Sequence, residues 1–119
     1  MELRVETRGQ VDVLSITGRL DLVSSSALKD VIHQRLADGH LQMVLDMERI
    51  DFINSSGLGA LISGLRDVRL ARGRLALAAL SPYVDEIFEI TSLKRVFDCY
   101  STPSEAVDSF TPEFSTVNA

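Results

Sequence analysis

The hydrophobic pattern changes period several times along the chain, and each change marks an element. Leu3–Arg8 and Val11–Thr17 read as two short strands, and Gly9-Gln10 between them suits a hairpin turn. Gly18-Arg19-Leu20-Asp21 leaves the second strand, and Ser24, Ser25 and Ser26 are candidate N-caps for a first helix. Inside that helix Leu28, Val31, Ile32 and Leu36 recur at helical spacing, and Gly39 is a natural C′ stop. Leu41–Met47 alternates: Leu41, Met43, Leu45 and Met47 share one face, and Gln42, Val44 and Asp46 the other. A second helix, ended by Gly73, carries Leu58, Leu61, Ile62, Leu65 and Val68 on one side. Leu75–Leu80 is a further strand, with Leu75 and Leu77 on one face and Ala76 and Ala78 on the other. Ser81-Pro82 opens a third helix along Val84, Ile87 and Phe88. Val96–Tyr100 is the last strand, and Thr102-Pro103-Ser104-Glu105 is a capping-box pattern for a short fourth helix through Ala106, Val107 and Phe110.

Strand and helix alternate after the hairpin, which predicts a single α/β domain over residues 1–110 with a mostly parallel sheet. Residues 111–119 have little periodicity and are expected to fray as a tail. Several strands are large and apolar on one face but small or polar on the other. Helices packed mainly on one face explain this, because a sheet covered on both faces wants strands that are apolar on both.

Composition narrows the function. At 119 residues the chain fits one domain able to bury roughly two-thirds of its unfolded surface. The longest strongly apolar run, Leu75–Leu80, is far too short to span a bilayer, so no membrane association is expected. Met1-Glu2-Leu3-Arg4-Val5 lacks the basic, then apolar profile of a signal peptide. The single cysteine, Cys99, excludes an intrachain disulfide and suits a reducing compartment, so the expected location is cytoplasmic. The net charge of −5, without a basic stripe, argues against direct nucleic-acid binding. Arg66, Arg69, Arg72 and Arg74 do cluster, but near a helix end, where cations complement the dipole and face solvent.

Catalytic and metal motifs are missing. His33 and His40 have no motif partner and read as surface residues, and Cys99 alternates within a strand as a small core residue. Cys, His, Asp and Glu show no metal-ligand spacing. Gly57-Leu58-Gly59 begins like a dinucleotide fingerprint, but Ile62 stands where its third glycine belongs. No catalytic residue, cofactor or metal is expected, and the chain reads as a binding protein rather than an enzyme.

One loop stands apart. Val44 to Gly59 reads as a strand, a tight turn with adjacent Ser55 and Ser56, and the start of an amphipathic helix. Asn54, Ser55 and Ser56 are all good N-cap residues, but one cap explains only one hydroxyl. If Ser56 caps, Ser55 is uncommitted; if Ser55 caps, Ser56 is the freer. Backbone N–H groups and the macrodipole favour negative charge at such a position, so a phosphate would be tolerated there. In a parallel sheet the carboxyl ends of the strands share one edge, where ligands and partners engage. Asp21, Ser24, Asn54, Ser55, Ser56 and Gly57 are expected to gather on it as a docking site, with Ser55 the first candidate for phosphorylation and Ser56 the second.

Three segments resemble the anti-sigma factor antagonist family of STAS-domain proteins. Gly18-Arg19-Leu20-Asp21 is similar to the family's Gly-x-Leu-Asp segment. Phe52-Ile53-Asn54-Ser55-Ser56-Gly57-Leu58-Gly59 is similar to its Asp-Ser-Ser/Thr-Gly-Leu-Gly phosphorylation loop. Leu80-Ser81-Pro82 with Phe88, Leu93 and Phe97 resembles its usual ending. The resemblance implies a bacterial partner switch. The unphosphorylated protein binds an anti-sigma factor that is also a serine kinase, and so releases the sigma factor. Phosphorylation of the first loop serine, here Ser55, dissolves the complex, and a PP2C-type phosphatase reverses it. ATP and magnesium belong to the kinase. Asn54 departs from the family's aspartate, which leaves an alternative open: a non-switching STAS subunit of a stress-signalling scaffold or lipid-transport complex. The oligomeric state is expected to be monomer or weak dimer.

Overall fold

Alternation along the central strands decides how the domain is layered. In the computed structural model, which describes residues 2–110, Met43, Leu45 and Met47 enter one core while the intervening Val44 enters another on the opposite face. The strands are β1 (Glu2–Arg8), β2 (Val11–Leu20), β3 (Gln42–Ile53), β4 (Arg74–Ala78) and β5 (Asp98–Tyr100). Between them run the helices α1 (Leu22–Ala37), α2 (Ser55–Leu70) and α3 (Pro82–Ile90), and α4 (Pro103–Asp108) follows β5. The sheet order is β1-β2-β3-β4-β5; β1 is antiparallel to β2 and every other pairing is parallel.

The expected α/β domain with helices mainly on one face is the observed one. Leu28 and Ile32 of α1, Leu61, Leu65 and Val68 of α2, and Val84 and Phe88 of α3 share the larger core. Phe88 packs against Phe97 with ring centroids 5.7 Å apart and planes tilted by 47°. On the other face Ala106 and Phe110, from α4 and its C-terminal end, cover Val11, Val13, Val44, Ala76 and Ala78. The expected tail at residues 111–119 lies outside the described residues.

Strand ends differ most from expectation. β2 continues to Leu20 rather than Thr17, and β3 to Ile53 rather than Met47. The β2–β3 register slips between Ser15 and Thr17 and again between Gly18 and Arg19. Each slip inserts an extra residue in β3, so its core positions step from Met47 to Ile50 to Ile53. That spacing of three hides a strand from a search for alternation. β5 begins at Asp98 rather than Val96, because Leu93–Arg95 forms a 3₁₀ turn that leads Phe97 into the core.

The helix caps also correct the reading. Asp21, not Ser24, Ser25 or Ser26, is the N-cap of α1: its side chain accepts the Ser24 N–H at 3.3 Å, and its own N–H donates to Ser24 Oγ at 2.8 Å. Gly39 does stop α1, at φ +85°, with His40 N–H donating to the Arg35 carbonyl at 2.9 Å. At the end of α2 the left-handed position falls to Arg72 (φ +64°), and Gly73 follows where a Cβ would strike the Leu41 carbonyl oxygen. Arg74 is no solvent-facing helix-end cation. It lies in β4, with its guanidinium 4.3 Å from the Phe110 ring centre and 3.1 Å from Asp98.

Candidate functional site

The site is built where β2 and β3 end side by side. Leu20 pairs with Ile53, and the Asn54 N–H points at the Leu20 carbonyl, 3.4 Å away. The next residues open α2. Asn54 has extended backbone (φ −123°, ψ −171°), and its Oδ1 accepts the Gly57 N–H at 3.1 Å. Asn54 is therefore the cap, and both serines follow it as the first two helical residues. Ser55 is exposed and Ser56 half-buried, and neither hydroxyl makes a hydrogen bond among the described residues.

Gly57 sets how closely this turn approaches β2. A Cβ there would collide with the Leu20 carbonyl oxygen and press on the Ile53 side chain, so only glycine seats the helix start against the strand end. The third wall comes from α3. Ser81 caps it, with Val84 N–H donating to Ser81 Oγ at 3.4 Å, while the Ser81 hydroxyl donates to the Ile50 carbonyl at 3.2 Å. The Tyr83 hydroxyl donates to the Ile53 carbonyl at 3.3 Å. The serine turn is thus closed by its own Asn54 side chain and braced on one side by the Leu20 backbone and on the other by the Ser81 and Tyr83 hydroxyls.

The expected site residues divide into two groups. Asn54, Ser55, Ser56 and Asp21 lie together on the carboxyl edge. Ser24 and Gly57 lie behind them and are buried: Ser24 completes the α1 capping box and donates to the Arg19 carbonyl at 2.7 Å. The Asp21 carboxyl is held below the usual carboxylate range, chiefly by the backbone N–H of Ser24, with Arg19 adding to it. Arg19 lies 3.5 Å from Asp21, with its guanidinium 3.8 Å from the Phe52 ring centre, a cation fixed at the rim of the site.

Several apolar residues were not legible as surface residues. Leu22 and Val23, in the first turn of α1, are 71% and 82% exposed. Ile62, expected in the core, is exposed as well. Ser55, Gly59 and Ile62 are four and then three residues apart, so they share one exposed face of α2. Their signal in the sequence is faint: an apolar pair directly before the Ser24–Ser26 run, and one apolar residue too many for the buried stripe of α2.

The histidines serve as bridges between elements. His33 Nε2 lies 2.7 Å from Asp67 of α2, and His40 Nδ1 lies 3.0 Å from Asp12 at the far end of β2. No cluster among the described residues could hold a metal ion, and no helix there is long and apolar enough to cross a membrane.

Comparison with known proteins agrees with this fold. The sequence profile of the STAS domain matches residues 2–106, and the chain belongs to that family. It is 26% identical over 110 residues to BtrV of Bordetella bronchiseptica, a candidate anti-sigma factor antagonist, covering 92% of this chain and 95% of that protein. It is 27% identical over 96 residues to the anti-sigma-B factor antagonist of Staphylococcus aureus, covering 79% and 89%. The crystal structure of an anti-sigma factor antagonist from Mycobacterium paratuberculosis superposes with a TM-score of 0.83 at 26% identity, over 93% of this chain and 94% of that one.

Proposed function

We propose that the chain is a cytoplasmic anti-sigma factor antagonist whose docking edge is switched off by phosphorylation of Ser55. The observation that carries this reading is the N-cap. Because Asn54 caps α2, an exposed hydroxyl stands uncommitted at a helix N-terminus, where a dianion suits its host. The relatives' names supply the partner class: an anti-sigma factor, which in this reading is also the serine kinase, with a PP2C-type phosphatase for the return step. The chain itself performs no chemistry in the cycle.

The switch follows from unequal costs. On this protein a phosphate at Ser55 meets the open N–H groups of the first turn of α2, so the domain keeps its fold. Asn54 caps as an aspartate would and adds no negative charge beside the phosphate. On the partner, a pocket shaped for a neutral hydroxyl must desolvate about −1.5 to −2 units of charge. A loss of ~2.7 kcal/mol weakens binding about a hundredfold. Leu22, Val23 and Ile62 are suited to supply the apolar part of the interface around that hydroxyl.

Incubation with the kinase of the same gene neighbourhood and ATP, followed by mass spectrometry of the loop peptide, tests the assignment. Phosphate on Ser55, absent in Ser55→Ala, is the expected result. Phosphate on Ser56 alone moves the site by one residue. No phosphate anywhere on the chain favours a constitutive docking subunit.

A further inference from the structure

The outer edge of β1 pairs with no strand among the described residues. Its seven residues alternate in charge, Glu2, Arg4, Glu6 and Arg8, with Leu3, Val5 and Thr7 between. Opposite these charges β2 offers Thr17, Ser15, Val13 and Val11, so none finds a charged partner there. Arg8 reaches back to Glu6 at 3.1 Å, the one ion pair on this strand among the described residues. The strip is electrically neutral on a chain of net charge −5, and Val5 on its other face is 42% exposed.

We propose that this edge pairs antiparallel with the same edge of a second copy of the chain, about a two-fold axis through Val5. Such an axis, perpendicular to the sheet, keeps each face on its own side, so charged residues oppose charged residues. Centred on Val5, Arg4 faces Glu6 of the second copy and Glu2 faces Arg8, each twice. Centred on Arg4 or Glu6, like charges face one another. Centred on Leu3 or Thr7, the overlap falls to three residues. One register is therefore both full-length and charge-matched.

The backbone agrees with that register. A two-residue turn closes on a hydrogen-bonded pair, here Arg8–Val11. Alternation then turns the N–H and C=O groups of Glu6, Arg4 and Glu2 toward β2, and those of Thr7, Val5 and Leu3 outward. Paired about Val5, these outward groups meet their equivalents. The charges fall at the intervening positions, where opposing side chains approach most closely. Alternating charges guard an edge against foreign strands, and here they also fit it to its own copy. Because the paired strands run in opposite directions, the two serine edges point away from each other and stay open. The pairing does not depend on the phosphorylation of Ser55.

The interface is small, so the association is weak and shows only at high protein concentration. Sedimentation of the full chain from ~10 µM to ~1 mM is expected to pass from monomer toward dimer. Arg4→Glu and Glu6→Arg each set like charges opposite one another twice per dimer, and each is expected to weaken self-association at least about tenfold. An equimolar mixture of the two restores opposite charges at every position and is expected to associate again. Thermal melts of each variant establish that it is folded. A wild-type chain that stays monomeric to ~1 mM, or folded variants whose mixture associates no better than either alone, overturns the proposal.

Discussion

Asn54 Oδ1 accepts the backbone N–H of Gly57 at 3.1 Å, and this bond leaves both neighbouring serines without a structural task. A cap supplied by either serine would have tied one hydroxyl to the helix. Supplied from the residue before them, it closes the first turn and leaves Ser55 exposed at its start.

Removing the cap therefore destabilises the host without touching the hydroxyl. Asn54→Ala is expected to cost about 1 kcal/mol in urea unfolding. Asn54→Asp keeps the bond and adds charge at the N-terminus, so it is expected to match the wild type or exceed it by ~0.3–1 kcal/mol. Equal stability of wild type and Asn54→Ala would show that the bond carries no weight.

Gly57→Ala is the steric test. The new methyl meets the Leu20 carbonyl oxygen and the Ile53 side chain, so the start of α2 must lift from β2. A loss of roughly 1–3 kcal/mol is expected, with amide shifts concentrated at residues 20–22 and 53–58. Gly59→Ala, two residues on, has open space around its Cβ and is expected to be neutral or stabilising by up to ~1 kcal/mol.

Acid sensitivity resides at the opposite end of the sheet. Asp12 is fully buried and accepts from Thr7 at 3.0 Å and Arg35 at 2.8 Å, with His40 at 3.0 Å. Burial pushes its carboxyl up, but the bonds from Arg35, Thr7 and His40 outweigh it and hold the group below the usual range. A carboxylate lowered on folding stabilises above its unfolded value, near pH 4, and that contribution is lost as pH falls through the folded value. Urea midpoints are thus expected to fall below about pH 4. Asp12→Asn is expected to flatten that fall and to cost about 2–4 kcal/mol at neutral pH. An unchanged acid limb in this variant would place the sensitivity elsewhere.

The exposed apolar residues predict a separation of binding from stability. Leu22→Ser, Val23→Ser and Ile62→Ser remove side chains that face solvent, so melting temperatures are expected to stay nearly constant. Each is expected to weaken binding to the anti-sigma factor by at least ~1 kcal/mol, about fivefold. Calorimetric titration of the three variants checks this, and unchanged affinity in all three would move the docking surface off this edge.

Layering and element order were legible because they rest on periodicity and size. Leu75 and Leu77 against Ala76 and Ala78 were enough to assign the thick and thin sides of the sheet. The long ends of β2 and β3 were not legible, because the two register slips replace alternation with steps of three after Met47. The serine turn could be located but its cap could not. Asn54, Ser55 and Ser56 have similar propensities, and the choice depends on how Gly57 seats against Leu20, a tertiary contact. Ser24 is buried for a related reason: Asp21 precedes it and captures the cap, which draws the serine inside.

In the proposed switch one added phosphate separates the partners and leaves this domain intact. Its most direct test is to titrate the anti-sigma factor with unmodified chain and with chain carrying phosphoserine at position 55, while recording the melting temperature of each. Affinity is expected to be at least about a hundredfold lower for the phosphorylated form, with melting temperatures close together. Equal affinity of the two forms, or unfolding of the phosphorylated domain, would contradict it.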